Sequence, residues 1–199
     1  MKARGSGAEI RRAAPRDAEA LSRIAFAAKG HWGYPEHWME RWRECLTITP
    51  EFVGRNEVHV ATVEGEPAGF YALVGDGPKI ELEHLWVLPE RMGTGMGRAL
   101  FDHATGRAAA LGAEVLGIEA DPNAEGFYGH MGAARVGEIV YELEGRERVL
   151  PLLAVETGGH RTARPRDPER SNIRFASPES RGAGGGHGNQ DDGREGAEP

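Results

Sequence analysis

The stretch that decides the fold is Leu85-Trp86-Val87-Leu88-Pro89-Glu90-Arg91-Met92-Gly93-Thr94-Gly95-Met96-Gly97-Arg98-Ala99-Leu100. It predicts a buried strand that passes through a glycine-rich turn into a helix. The first turn of a helix carries unpaired N–H groups and a partial positive charge, and glycine lets an anion approach that backbone closely. The turn is therefore predicted to hold a phosphate. The alternative is a tight turn whose glycines serve only its backbone angles.

Two common nucleotide-binding motifs do not fit this turn. The dinucleotide pattern G-x-G-x-x-G would need glycine at Arg98 or Leu100. A P-loop would need a Gly-Lys-Ser/Thr ending, which occurs nowhere in the chain. The phosphate ligand is therefore not expected to be a dinucleotide or a P-loop nucleotide.

The elements around the turn alternate between strands and helices. Residues 9–13 predict a first strand, and Pro15 opens a helix that ends near Gly30. Pro35 starts a second helix, with Trp38, Met39, Trp42, Cys45 and Leu46 on one face. Residues 57–74 predict a hairpin, and residues 79–88 a third strand. Further strands at 115–119, 134–141 and 148–155 follow the helix after the turn. This order predicts the α/β (α+β) class, with one mixed sheet and helices on it.

The composition separates a domain from a tail. Residues 157–199 contain nine Gly, four Pro, seven Arg and seven Asp or Glu, with Phe175 as the single aromatic residue. Such a segment is predicted to be disordered, so the domain spans residues 1–156. Because the charges of the tail cancel, the domain carries the whole net charge of −7, which argues against nucleic-acid and membrane partners. No apolar run predicts a membrane span or signal peptide, so a cytoplasmic protein is expected.

The turn and a second block resemble the GCN5-related N-acetyltransferase (GNAT) family, which binds acetyl-coenzyme A. Val87-Leu88-Pro89 followed by Gly93-Thr94-Gly95-Met96-Gly97 resembles the family's V-x-P and Q/R-x-x-G-x-G/A signature. Met92 stands where the family often has Gln or Arg, with Arg91 one place earlier. Residues 121–133, with Asn123 and Phe127-Tyr128, resemble the family's N-x-x-x-F-Y segment. The resemblance covers about residues 9–156.

The resemblance implies a mostly antiparallel central sheet, flanked by helices and splayed at the acetyl-CoA site. It also implies acetyl-CoA as the cosubstrate, with the backbone of Trp86 and Val87 pairing with the pantetheine arm and the N–H near Leu85 facing the thioester oxygen. The residues implied to bind the coenzyme are Leu85, Trp86, Val87, Arg91, Met92, Gly93, Thr94, Gly95, Met96, Gly97, Arg98, Asn123, Phe127 and Tyr128.

Acetyl transfer to an amine needs a base, because an alkylamine has a pKa of about 10. Alternation along the strand places Glu81, Glu83 and Leu85 on one face and His84 on the other. Glu81 and Glu83 are therefore the candidate bases, with Glu81 slightly preferred, and His84 is interpreted as structural. Tyr128 is implied to protonate the departing thiolate. The alternatives are a solvated polar strand face for the glutamates and a purely positioning role for the tyrosine.

The connection between the first two helices is unusually aromatic. His31, Trp32 and Tyr34 lie in it and are candidates for the acceptor pocket, with simple packing as the alternative. Trp38 and Trp42 share a helical face and are interpreted as core, as is Cys45. A bulky loop of this kind favours a small-molecule amine as acceptor.

The function predicted from these features is N-acetyl transfer from acetyl-CoA to a small primary amine. One alternative is a protein N-acetyltransferase, which needs a groove for an extended chain. Another is a non-catalytic acyl-CoA sensor, which needs neither Tyr128 nor the glutamates. The sequence leaves the oligomeric state open, a homodimer included, and predicts no metal site, since a single cysteine gives no thiolate spacing.

Overall fold

The computed structural model describes residues 8–158, which form one seven-stranded sheet with helices. The strands are β1 (Ala8–Arg12), β2 (Glu57–Val63), β3 (Glu66–Val74), β4 (Lys79–Val87), β5 (Val115–Glu119), β6 (Ala134–Leu143) and β7 (Arg146–Glu156). The helices are α1 (Ala18–Gly30), α2 (Glu36–Arg41), α3 (Arg43–Leu46), α4 (Pro50–Arg55), α5 (Met96–Ala110) and α6 (Glu125–His130). Three short 3-10 turns begin at the prolines Pro15, Pro89 and Pro122.

The strand order is β1-β2-β3-β4-β5-β7-β6. In the described sheet, β4 and β5 pair parallel, and all other neighbouring strands pair antiparallel. The predicted mixed, mostly antiparallel sheet is therefore confirmed. The insertion of β7 between β5 and β6 was not predicted, because the sequence order of the last two strands does not reveal which of them joins β5.

Two hydrophobic clusters lie on the two faces of the sheet. Side chains of β3 alternate between them: Tyr71 and Leu73 pack in the cluster that contains α5, and Phe70 and Ala72 in the cluster that contains α1. Because each face of a strand repeats every second residue, β3 supplies both cores. The central strands are thus covered by helices on both sides.

The predicted second helix is interrupted. Trp42 has ψ of 1°, outside the helical range, and separates α2 from α3. Its side chain is buried, as predicted, whereas Trp38 is only partly buried. The burial of Trp42 against Lys29, whose Nζ lies 4.3 Å from the indole centroid, accompanies this break in the helix.

The predicted tail at residues 157–199 lies outside the described residues except at its first two positions. Thr157 is buried, and its backbone N–H donates to the carbonyl of Glu114. The hydroxyl of Thr157 also donates to the carbonyl of Ala113. Within residues 8–158, no helix combines the length and the apolar character needed to cross a membrane.

The sheet opens between β4 and β5. These strands pair only at Lys79↔Val115, Ile80↔Leu116 and Glu81↔Gly117. Beyond Glu81, β4 continues to Val87 while it stays paired with β3 on its other side. The backbone of β4 from residue 82 onward therefore faces a gap, which confirms the predicted splay.

A β-bulge in β4 corrects the predicted alternation of its side chains. Ala72 of β3 faces His84, but Leu73 faces Leu82, so Glu83 is an extra residue on β4. The bulge shifts the alternation by one: Leu82 and Leu85 both pack toward the α5 cluster. The prediction that Glu81 and Leu85 share a face was therefore wrong, because it assumed an unbroken ladder.

The close packing of α5 on the sheet predicts a steric limit at Gly69. A Cβ on Gly69 would lie 3.0 Å from both Leu100 Cδ1 and the carbonyl oxygen of Trp86. We expect Gly69→Ala to lower the free energy of unfolding by about 1–3 kcal/mol through overpacking. Chemical denaturation measures this change. Gly54→Ala, where no atom lies within 4 Å of the new Cβ, is the control and should leave stability unchanged or slightly higher. Equal effects of the two substitutions would contradict this account.

Candidate active site

A cavity of about 430 Å³ occupies the gap between β4 and β5. Its walls come from β4, the end of β5, the start of α5, and helices α1, α3 and α6. The lining includes Glu83 and Tyr128 as well as glycines of the turn before α5. The splay therefore connects the glycine-rich turn and the predicted catalytic residues in one continuous space.

The glycine-rich turn leaves the start of α5 open to an anion. Gly93 and Gly95 have φ of 73° and 91°, a left-handed conformation that favours glycine. Gly95 is the N-cap residue of α5, and no side chain caps the helix. The first turn of α5 contains no acidic residue either. The N–H groups of residues 96–98 are thus available to a negatively charged ligand.

Gly97 and Phe127 bring the two predicted motifs together. A Cβ on Gly97 would lie 3.4 Å from the Phe127 ring. Phe127 in turn packs against the rings of Phe101 and Tyr128, at centroid distances of 6.2 and 5.1 Å. The absence of a side chain at Gly97 therefore lets α6 lie directly against the first turn of α5.

The predicted coenzyme-binding residues fall into two groups. Those that line the cavity are Leu85, Trp86, Val87, Met92, Gly93, Gly95, Gly97, Arg98, Asn123, Phe127 and Tyr128. The residues outside the lining are Arg91, Thr94 and Met96. Met96 is buried in the α5 core, whereas Arg91 and Thr94 are exposed, with the Thr94 hydroxyl donating to the Arg91 carbonyl at 2.7 Å.

Tyr128 is a buried phenol in the cavity wall. Burial raises its pKa above the ordinary value of 10.0, and the negative charge of Asp121 adds to the increase. The phenol is therefore protonated throughout the neutral pH range. It can donate a hydrogen bond, but it is a weaker acid than a tyrosine in water.

Glu81 and Glu83 both line the cavity, but their surroundings differ. Glu81 belongs to the paired part of β4, and its carboxylate lies 2.6 Å from the Lys79 ammonium. The carboxylate also occupies the space that a side chain at position 117 would fill: a Cβ on Gly117 would lie 2.3 Å from Glu81 Oε2. Glu83 is the bulged residue at the point where the gap begins.

Glu119 is a further carboxylate of the lining that the sequence reasoning did not single out. Glu119 is the last residue of β5, two residues beyond Gly117, where the pairing with β4 has already stopped. Both carboxylate oxygens of Glu119 are shielded from solvent. Sequence analysis could have found Glu119 only if it had known that β5 lies beside β4, and the sequence of neither strand shows that pairing.

His84 is buried and has a structural partner. Its ring lies between Phe52 and Phe70, at centroid distances of 5.5 and 5.9 Å, and its Nδ1 accepts a hydrogen bond from Trp86 Nε1 at 3.1 Å. Burial lowers the pKa of His84 from 6.5 to about 4. The imidazole is therefore neutral at physiological pH, which fits its interpretation as a structural residue.

The aromatic connection contributes one residue to the cavity. Trp32 lines it and is 39 % exposed, whereas His31 and Tyr34 are not part of the lining. The Tyr34 hydroxyl instead donates to the Asp121 carboxylate at 2.9 Å. Cys45, predicted as core, is partly buried and reaches the cavity wall.

Asp121 joins two buried cations behind the cavity. Its carboxylate accepts from Lys29 Nζ at 2.8 Å and from Arg148 Nη2 at 3.2 Å. Burial opposes ionisation of Asp121, but the positive charge of Lys29 and the hydrogen bonds from Lys29, the Asn123 N–H and Tyr34 together outweigh it, so the pKa of Asp121 is lowered. Lys29 is fully buried and Arg148 is 8 % exposed. Asp121 is also the N-cap of the 3-10 turn at Pro122, where its carboxylate accepts a hydrogen bond from the N–H of Asn123.

The opened sheet and the uncapped start of α5 fit the class of acetyltransferase domains that the sequence resembles. The acetyltransferase (GNAT) domain family matches residues 29–144. This match covers more than half of the chain. The chain therefore belongs to the GNAT acetyltransferase family. No curated protein sequence matches the chain significantly.

Solved structures of acetyltransferases share this fold. A GCN5-related N-acetyltransferase of Rhodopseudomonas palustris is 25% identical, with a TM-score of 0.64 over 74% of this chain and 94% of that chain. The PaiA N-acetyltransferase of Thermoplasma acidophilum, solved with coenzyme A, is 21% identical, with a TM-score of 0.60 over 75% and 99% of the two chains. YncA of Salmonella typhimurium, a putative acetyltransferase solved with acetyl-CoA, is 19% identical, with a TM-score of 0.57 over 80% and 99%.

The lowered pKa of His84 predicts a loss of stability in acid. His84 binds a proton near pH 6.5 in the unfolded chain but only near pH 4 in the folded chain. The free energy of unfolding is therefore highest above pH 6.5 and decreases as the pH falls toward 4. We expect the titration of His84 alone to lower the free energy of unfolding by about 3 kcal/mol over this range. His84→Gln keeps a hydrogen-bond acceptor for Trp86. Urea unfolding at pH 7 and pH 4.5 should therefore show a smaller loss in the free energy of unfolding for this variant than for the unchanged chain.

A partial pH dependence should remain in His84→Gln, because burial also lowers the pKa of His59 to about 4. His31→Gln, at an exposed position, is the matched control and should retain the pH dependence of the unchanged chain. If the free energy of unfolding decreased equally between pH 7 and pH 4.5 in His84→Gln and in the control, the lowered pKa of His84 would be contradicted.

Proposed function

We propose that this chain is an N-acetyltransferase that moves an acetyl group from acetyl-CoA directly to a primary amine of a small molecule. The observation that carries this proposal is the single cavity that connects the uncapped start of α5, the unpaired edge of β4 and Tyr128. These three features correspond to the needs of the reaction: a site for the coenzyme phosphates, a site for the thioester, and a proton donor for the sulfur.

The coenzyme diphosphate is assigned to the N–H groups of residues 96–98. Arg98 lines the cavity at the same place and adds a positive charge. The pantetheine arm is assigned to the backbone of Trp86 and Val87, where β4 lacks a partner on its β5 side. The PaiA and YncA structures, which share the fold and were solved with coenzyme A and acetyl-CoA, support this assignment.

Glu83 is the preferred base. An alkylamine with a pKa of about 10 must lose a proton before its lone pair attacks the thioester carbon. Glu83 lies in the bulge at the start of the gap, and bulges commonly redirect side chains beside active sites. Glu81 is held by Lys79 and packs over Gly117, so we assign it a supporting role.

The thioester oxygen becomes negatively charged as the amine attacks. The backbone N–H near Leu85 is assigned to this oxygen, because the splay leaves the β5 side of β4 without a strand partner there. When the carbon–sulfur bond breaks, the electron pair goes to the sulfur. Tyr128, protonated at neutral pH, donates a hydrogen bond to the sulfur and supplies the proton as the charge develops.

The acceptor is assigned to the end of the cavity beside Glu83 and Trp32. About 13 Å of strand separates Glu83 from Val87, where the glycine-rich turn begins, so the two ends are distinct. A cavity of about 430 Å³ that also receives the pantetheine arm leaves room for a small acceptor. Trp32 supplies an apolar wall for its body.

The proposed function is tested by binding and turnover together. Titration of the protein with acetyl-CoA should release or absorb heat and raise the melting temperature, because a ligand of the folded state stabilises it. Adding a panel of primary amines should then produce free coenzyme A thiol. Acetyl-CoA binding without thiol release on any amine would favour a non-catalytic sensor, and no binding would reject both functions.

Tyr128→Phe should lower kcat by about ten- to a hundredfold, because the departing thiolate loses its proton donor. Calorimetry should give a nearly unchanged Kd for acetyl-CoA, since the ring remains. Tyr71→Phe is the matched control: this buried tyrosine bonds His103 at 2.7 Å and does not line the cavity. It should leave kcat unchanged. Equal losses of coenzyme affinity and turnover in Tyr128→Phe would contradict the role of proton donor.

Glu83→Gln should lower kcat/KM at neutral pH by about a hundredfold or more and remove the acidic limb of the pH–rate profile, because the base is gone. Glu81→Gln should cause a smaller loss and keep that limb. Steady-state kinetics over pH 5.5–9.5 distinguish the two substitutions. A larger effect of Glu81→Gln would assign the base to Glu81 instead.

A further inference from the structure

We infer that Tyr34 is a positioning residue for the coenzyme. With Asp121 it holds the side-chain amide of Asn123, so that the carbonyl oxygen of that amide accepts a hydrogen bond from an N–H group of the pantetheine arm. The inference rests on the proposed function. It moves Tyr34, which the sequence placed in the acceptor pocket, to the support of the coenzyme side of the cavity.

Asn123 lies in the cavity wall, in the segment that follows β5. The strand ends at Glu119, and Asn123 belongs to the 3-10 turn that begins at Pro122. One helical turn farther along, Phe127 lies against Gly97 in the first turn of α5. Asn123 therefore borders the region between the start of α5 and the unpaired edge of β4, where the pantetheine arm is assigned.

The side-chain amide of Asn123 is held in one orientation. Its Nδ2 donates to the Tyr34 hydroxyl at 2.8 Å and to Asp121 Oδ1 at 3.0 Å. An ionised carboxylate only accepts hydrogen bonds, so the nitrogen of the amide, and not its oxygen, must face Asp121. Both amide hydrogens are thereby used. Within residues 8–158, Asn123 Oδ1 accepts no hydrogen bond, so this oxygen is the group that can meet a ligand.

The Tyr34 hydroxyl connects Asn123 to the buried ion cluster. It donates to the Asp121 carboxylate at 2.9 Å, and it accepts from Asn123 Nδ2 at 2.8 Å and from Arg148 Nη2 at 3.2 Å. Burial and the negative charge of Asp121 raise the pKa of Tyr34, so the hydroxyl keeps its proton. Because that single hydrogen is directed to Asp121, the hydroxyl oxygen can only accept from Asn123.

The ring of Tyr34 is fixed by its neighbours. It meets the Trp42 ring edge-on at a centroid distance of 5.0 Å and stacks on the Trp38 ring at 6.1 Å. The cationic groups of Lys29 and Arg148 lie 5.2 and 4.8 Å from its centroid. A ring held on several sides gives its hydroxyl little freedom. The aromatic connection therefore acts on the cavity wall through a side chain that does not itself line the cavity.

The ligand group that fits Asn123 Oδ1 is an N–H donor. The pantetheine arm has two amide groups, and each of them carries one N–H. The ammonium of the acceptor amine is the other source of such a group. The position of Asn123, one turn before the residue that touches Gly97, favours the arm. Binding of acetyl-CoA in the absence of any amine distinguishes the two sources.

Tyr34→Phe tests the positioning role, because it removes the hydroxyl and keeps the ring. Calorimetry without an amine should show a Kd for acetyl-CoA that is about three- to tenfold higher, as expected for one hydrogen bond. Tyr71→Phe is the matched control: it also removes a hydroxyl that is hydrogen-bonded, at a site outside the cavity, and should leave this Kd unchanged. An unchanged Kd in Tyr34→Phe would overturn the inference, whether or not the KM for the amine rises.

Combination with Asn123→Ala separates positioning from a structural role. In this background Tyr34→Phe should change the Kd for acetyl-CoA by less than twofold, because the amide that Tyr34 orients is gone. Asn123 is exposed, so its replacement is not expected to disturb the core. An equal rise in Kd with and without Asn123 would show that Tyr34 only supports the wall, and it would overturn the inference.

Analogues of acetyl-CoA test the same hydrogen bond when Tyr34 is unaltered. Two analogues are used, each with an ester oxygen in place of one amide N–H of the arm. One of them should bind the unaltered protein at least fivefold more weakly than acetyl-CoA, and most of this loss should disappear in Asn123→Ala. Losses of the same size in Asn123→Ala, or no loss with either analogue, would overturn the inference and leave the proposed function intact. This comparison decides the matter if Tyr34→Phe does not fold.

Discussion

The site depends on one interruption: the hydrogen-bonded pairing of β4 with β5 stops at Glu81↔Gly117. If the pairing continued, the backbone of β4 up to Val87 would be hydrogen-bonded to a strand on both sides, and no gap would open between β4 and β5. The interruption instead leaves main-chain groups facing a cavity. At the paired end of this interruption the Glu81 carboxylate packs over Gly117, and at its open end α5 packs over Gly69.

The bulge at Glu83 and the glycine turn act together on this opening. The bulge shifts the side-chain alternation of β4, so that the side chains before and after it no longer follow a single alternating pattern. The glycines then reverse the chain into α5, whose first N–H groups lie at the other end of the same cavity. One strand thereby supplies a polar side chain, an open backbone edge and the approach to the uncapped start of α5.

The ion cluster around Asp121 secures the far wall. It links α1, β7 and the connection that follows β5, through side chains that are 92 and 27 residues from Asp121 in sequence. Removing one member of such a buried cluster would leave an uncompensated charge, so the cluster fixes these segments relative to each other.

The sequence by itself determined the glycine turn, the helix after it, the order of most strands and the family, because these follow from local backbone preferences and short motifs. Eleven of the fourteen residues that the sequence predicted for the coenzyme line the cavity. Only the tertiary structure decided the bulge at Glu83, the position of β7, the partners of Lys29 and Tyr34, and the place of Glu119 in the cavity wall. The physical reason is that these features arise from pairing between distant segments, where strand register and buried charge compensation outweigh local preference.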